Sequence, residues 1–158
     1  MPTPTPIPPS VALPVAYPKQ GGFLLVQLLH PPAATKEATA LFAGGSYPMV
    51  ADGDAWTGLI GMATDFPLGD YTVEVTADGV SMGSAPVSIG AGGYPQLTLT
   101  VPDESIDLLS DAAKIAAERQ TVRETYTTFT PQRLWSGPWL QPAQGPISNG
   151  FGVQRSVN

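Results

Sequence analysis

A mainly β fold is predicted: a two-layer sandwich, then one α-helix, then an irregular segment that opens a second β domain. Three observations predict it. Between Gly22 and Val101 short apolar runs are broken at close intervals by turn residues, the pattern of an all-β sandwich. Tyr71-Thr72-Val73-Glu74-Val75-Thr76 alternates strictly, which sends Tyr71, Val73 and Val75 to a core and Thr72, Glu74 and Thr76 to water. After Pro102 the composition turns to helix formers, and beyond Thr130 glycine and proline interrupt any regular element.

In chain order, residues 1–21 form a Pro-rich stalk in extended polyproline II, or else a disordered tail. Pro2, Pro4, Pro6, Pro8, Pro9, Pro14 and Pro18 fix φ and remove backbone donors. The sandwich is expected over 22–102. Phe23–Leu29 is apolar on both faces except at Gln27, so it reads as a buried strand. Ala38–Ala43 follows, and the Ala51-Asp52-Gly53-Asp54 turn leads to a strand over Trp56–Met62. The Asp78-Gly79 pair turns the alternating strand back into Val80–Met82, with Ala85–Ile89 and Leu97–Val101 after it. Six or seven strands in this length make the sandwich immunoglobulin-like. Residues 103–130 are a helical linker, with Asp103 or Ser110 as its N-cap and Ala112, Ile115, Ala116, Arg119 and Val122 on one stripe. Such a helix spans roughly 24 Å. It serves as a strut between domains, as an amphipathic helix packed on the sandwich, or as both. Lys114 and Glu118 are spaced to pair across one turn. Residues 131–158 begin an incomplete β domain.

The composition excludes several functions. The chain has 158 residues, a net charge of −6, and 13% charged residues against about 25% in an average globular protein, so surface ion pairs are few. Its seven Lys and Arg are scattered, with no basic stripe for phosphates, so nucleic acid is not an expected partner. There is no cysteine, hence no disulfide, thiolate metal site or Cys nucleophile. No segment is apolar for long enough to make a transmembrane helix. The N-terminus lacks the basic and apolar regions of a secretory signal, so an exported protein would carry its signal elsewhere.

No constellation supports catalysis. Gly79-Val80-Ser81-Met82-Gly83 matches the G-x-S-x-G nucleophile pattern, but a strand pattern follows it and the single histidine, His30, precedes it. The hairpin reading is therefore preferred. His30 has no second His or Cys to share a metal with. Asp52 and Asp54 offer two hard oxygen ligands where calcium takes six to eight, so they read as turn residues. No residue is assigned a catalytic, cofactor-binding or metal-binding role. Trp135 and Trp139 stand among Gly137, Pro138, Pro142, Gly145 and Pro146. They are candidates either to clamp two domains together or to stack on a sugar ring.

The run Leu134-Trp135-Ser136-Gly137-Pro138-Trp139-Leu140-Gln141-Pro142, and then Gly145-Pro146-Ile147-Ser148-Asn149-Gly150-Phe151-Gly152-Val153-Gln154-Arg155-Ser156, resembles the opening of a lysostaphin-type (LytM-like) zinc metallopeptidase domain. That family starts with a W-x-G-P-F/W-x-x-P segment and an I-S/T-S-x-F/Y-G-x-R strand. Some members place an immunoglobulin-like domain and a helical linker first. The resemblance implies antiparallel sheets, a zinc held by H-x-x-x-D and H-x-H motifs, and hydrolysis of peptidoglycan cross-bridges. Those motifs would lie past Asn158, so no zinc is expected in this chain and no family ligand is carried over to it. The chain then reads as the non-catalytic N-terminal module of a secreted or cell-surface, extracytoplasmic peptidase. Its partners would be its own downstream catalytic domain and the peptidoglycan. Two other readings are a carbohydrate or cell-wall binding module using Tyr47, Trp56, Tyr71 or Tyr94, and a structural spacer or adhesion domain.

Overall fold

The computed structural model describes residues 7–100, 111–138, 140–147 and 150–157. They divide into two compact units. One lies within Met1–Gly92 and Pro131–Pro138, the other within Gly93–Thr130 and Trp139–Asn158.

The first unit is a β-sandwich of eight strands: β1 (Ser10–Ala16), β2 (Phe23–Leu29), β3 (Ala38–Phe42), β4 (Gly45–Pro48), β5 (Val50–Asp52), β6 (Ala55–Gly61), β7 (Gly69–Ala77) and β8 (Val80–Ile89). One sheet has the order β1-β2-β6-β5 and the other β4-β3-β7-β8, with every pairing antiparallel. This is the strand order of immunoglobulin-like sandwiches, with an extra strand beside β3. Leu24, Val26, Leu28 and Ile60 of the first sheet meet Ala40, Phe42, Val73 and Val75 of the second in one buried core. On β7 the alternation holds: Val73 and Val75 are fully buried while Thr72 and Glu74 are exposed.

Turn chemistry explains how the strands reverse. Asp78 and Gly79 have φ of 48° and 79°, as a two-residue hairpin between right-twisted strands requires. Ala43 and Gly44 (φ 48° and 78°) make the same reversal between β3 and β4. The Asp78 carboxylate also accepts hydrogen bonds from the Lys36 and Glu37 backbone N–H groups at 3.1 and 3.2 Å, which ties the β2–β3 connection to this turn. At the start of β7 the Tyr71 hydroxyl donates to the Pro67 carbonyl at 3.0 Å. Its ring packs 5.4 Å from those of Phe42 and Phe66. A hydroxyl returned to the backbone just upstream is the tyrosine corner of immunoglobulin-like folds.

The structure differs from the sequence-based expectations in several places. The sandwich begins at Ser10, inside the expected stalk. Val11 and Leu13 pack against the core, and Pro14 falls at the register shift between Ala12 and Val15, where its missing N–H costs no ladder bond. Residues 1–6 of the stalk lie outside the described residues. The chain then crosses to the other sheet, where Lys19 bridges Gly90 in parallel, with Gln20 N–H to Gly90 O and Gly90 N–H to Pro18 O both at 2.9 Å. The short strands β4 and β5 were not expected. Val80–Met82 and Ala85–Ile89 are one strand, bulged around Met82 and Gly83.

The strand expected at Leu97–Val101 is β9 (Gln96–Leu99), in the second unit; Val101 is outside the described residues. It pairs in parallel with β10 (Gln154–Val157), so the tail expected to open a new domain joins β9. The helix, α1 (Ala112–Tyr126), is capped by Asp111, whose carboxylate accepts from Lys114 N–H at 3.0 Å. The expected caps Asp103 and Ser110 lie outside the described residues. No residue of α1 is buried, because Ile115 and Val122 with alanines and Arg119 make too small an apolar stripe to pack. Lys114 and Glu118 form no ion pair; Gln120 bonds Glu124 instead, at 2.8 Å.

Two backbone positions give stability predictions of opposite sign. A Cβ on Gly22 would sit 2.0 Å from the Tyr17 carbonyl oxygen, inside the turn where Gly22 N–H bonds Lys19 O and Met62 N–H bonds Gly22 O. Gly22→Ala is therefore expected to lower unfolding free energy by more than about 2 kcal/mol in urea titrations. Ala43 holds a positive φ without the side-chain hydrogen bonding of Asn or Asp. Ala43→Gly is expected to raise stability by roughly 0.5–1 kcal/mol in the same assay.

Candidate functional site

Pro131–Pro138 belongs to the sandwich unit, and it contains the first of the two tryptophans singled out by sequence. Two prolines and Gly137 at φ 73° keep this segment irregular. Its attachment is electrostatic. Arg133 Nη1 lies 2.9 Å from Asp52 Oδ2, the one ion pair among the described residues. The same guanidinium lies 5.4 Å from the centre of the Trp135 ring, so one cation serves a carboxylate and a π face together. Trp135 is 44% exposed. Trp139 lies outside the described residues.

Asp52 closes β5 opposite Ala55 of β6. Alternation along β6 turns Trp56 and Ile60 toward the core, so Ala55, Thr57 and Leu59 face outward. Thr57 is nevertheless only 8% exposed, and its hydroxyl has no hydrogen-bond partner. The strap from Pro131 to Pro138 is anchored at the Asp52–Ala55 end of the sheet.

Other sequence candidates fall to ordinary structural roles. Ser81 is on β8 and donates to Glu74 Oε1 at 3.0 Å across the hairpin, so the G-x-S-x-G match is a strand and its turn. His30 follows β2, exposed, at φ 52°. Asp52 is committed to Arg133, and among the described residues no three His, Cys, Asp or Glu side chains come together to hold a metal. Of the aromatics considered for sugar stacking, Tyr47, Trp56 and Tyr71 pack against the core. Tyr94 meets Phe151 edge-on at 5.9 Å within the second unit.

Sequence reasoning took Asp52 for a turn residue and missed its pairing with Arg133. They are 81 positions apart, and spacing carries no information at that range. The only local signal was a basic residue two before Trp135. No protein-family model matches the chain, and no curated protein matches it either. No described helix is long and apolar enough to cross a membrane, which says nothing of a β-barrel.

Trypsin provides a direct test of the strap, because the Arg133–Leu134 bond is cleavable only when the guanidinium leaves Asp52 for the protease. Asp52→Asn is expected to speed cleavage at Arg133 several-fold relative to Arg155, with global stability lowered by less than about 1 kcal/mol. In wild-type protein the same acceleration is expected on raising salt to about 0.5 M, after correction for trypsin's own salt response.

Proposed function

We propose that the chain is a non-catalytic positioning module of an extracytoplasmic, cell-wall zinc metallopeptidase, with the sandwich fixing where the chain sets out toward the peptidase domain. One observation carries this reading. The segment that resembles the family's W-x-G-P opening starts within the sandwich unit, held by the Arg133–Asp52 pair with Trp135 against the guanidinium. A free linker would have no such anchor. The absorption of Tyr47, Trp56 and Tyr71 into the core favours a positioning role over direct glycan binding.

In this role the chemistry belongs to the peptidase domain. A zinc ion there would supply a Lewis acid and an activated water for amide hydrolysis. The residues of this chain act by orientation: Asp52 receives Arg133, Arg133 orders Trp135, and the prolines restrict the path that follows.

The test is to express the chain together with the coding sequence that continues it past Asn158. Chelator-sensitive hydrolysis of peptidoglycan cross-bridges is expected from the longer product and not from residues 1–158. Asp52→Ala in the longer product should lower kcat/KM on intact cell walls several-fold and leave hydrolysis of a short soluble peptide unchanged. Lack of any peptidase sequence or activity in that product would reject the reading. An Asp52→Ala effect equal on both substrates would reject the positioning role.

A further inference from the structure

The sandwich holds the chain as far as Gly92. Gly90 is bridged to Lys19, and Gly92 N–H bonds Gln20 Oε1 at 3.3 Å. Past Gly93, which turns at φ 67°, Tyr94 and Pro95 lead into β9. Tyr94 is where the tail is met. A Cβ on Gly152 would sit 2.3 Å from the Tyr94 ring carbons Cδ1 and Cε1, so the ring rests on the Gly152 backbone itself. Phe151 meets the same ring edge-on, and Gln154 N–H bonds Pro95 O at 2.9 Å. Further along, Gln96 bonds Gln154 at 3.2 Å and the Thr98 and Ser156 hydroxyls meet at 3.4 Å. Only glycine suits position 152, because there is no room for a Cβ under the ring and its φ of 79° disfavours any other residue.

A parallel ladder of two four-residue strands, with β9 exposed along its whole length, is too small to hold by itself. The ring seated at its first rung supplies what it lacks. We infer that the Tyr94–Gly152 seat is a clasp that shortens the tether between the sandwich and whatever β10 leads into. Through the strap, β10 hangs on residues 139–153, which extended would reach roughly 50 Å. Through the clasp it hangs on residues 93–95, which reach roughly 10 Å, and Pro95 stiffens them. Loop-closure entropy grows slowly with loop length, so one ring contact and a short ladder suffice to close the clasp, and one substitution suffices to open it. The inference deepens the positioning role proposed above and rests on that reading for its purpose, not for its geometry.

Spin labels on Ala91→Cys and Asn158→Cys, in a chain with no cysteine of its own, read the tether by pulsed electron resonance. A single narrow distance distribution below about 30 Å is expected, the reach of a few extended residues at either end of the ladder. Gly152→Val and Tyr94→Ala should each broaden it past about 40 Å, while Tyr94→Phe keeps it narrow and the sandwich melts unchanged in all three. As a second measurement, Thr98→Cys with Ser156→Cys should oxidise to an intramolecular disulfide at least tenfold faster than the same pair carrying Gly152→Val. A broad distribution without either clasp substitution, or one that stays narrow with both Gly152→Val and Tyr94→Ala, overturns the proposal. No peptidase activity is read, so failure here leaves the peptidase reading standing, and failure of that reading leaves the clasp.

Discussion

Leu24, Val26 and Leu28 of β2 point at Ala40, Phe42, Val73 and Val75 across the sandwich, and this contact sets the rest of the structure. Each large side chain in it contributes about 2 kcal/mol by leaving water. Because side chains alternate with period two, placing these residues inward determines the facing of every neighbour. On β7 one reading is open, since a one-residue slip would bury Glu74. On β2 the pattern leaves two, because Leu25 and Leu29 are as apolar as the residues beside them. What decides there is the partner strand. Gly58 of β6 faces inward against Met49, where a Cβ would come within 2.9 Å of the Met49 side chain. Around β2 the Tyr17–Gly22 turn holds Phe23 through the bond from Tyr17 N–H to Phe23 O at 2.8 Å.

The two layers are also stitched outside the core. The chain after β1 reaches the end of β8 through Lys19 and Gly90. Gln20 then donates from its side-chain amide to Phe66 O at 2.9 Å and accepts from Gly92 N–H at 3.3 Å. Asp78 performs the same task at another connection, where a turn residue chosen for its positive φ also caps the Lys36–Glu37 backbone. These positions are polar and local in sequence, yet their partners are distant. The sandwich thus gains its closure from side chains whose sequence context suggests only a turn.

That difference marks what could be read in advance. The β7 alternation, the Asp78-Gly79 reversal and the run at Phe23–Leu29 are local signals and were legible. β1 was not, since proline is the strongest mark against a strand, and only the bulge between Ala12 and Val15 makes Pro14 tolerable. β4 and β5 flank Met49 with four and three residues, too few for periodicity to register. Leu97–Leu99 looked like a sandwich strand because nothing local distinguishes which sheet a strand will join. At the site, Trp135 stood out by its Gly and Pro surroundings, but nothing local named Arg133 as its neighbour, and the Arg133–Asp52 pair is tertiary.

The strength of that pair limits what the proposed positioning role could draw from it. Both partners are partly exposed, so the ion pair contributes under about 1 kcal/mol, and the guanidinium–indole contact about 0.5–1 kcal/mol. Together they bias the strap by roughly tenfold in population. That is too little to hold the strap rigidly, but enough to favour one seating of it. Pro131 and Pro138 limit the conformations given up when the strap is seated, so a weak anchor goes further here than on a flexible linker. Under the proposed positioning role, such an attachment would orient a tethered domain while letting it follow an uneven substrate, which a larger buried interface between domains would prevent.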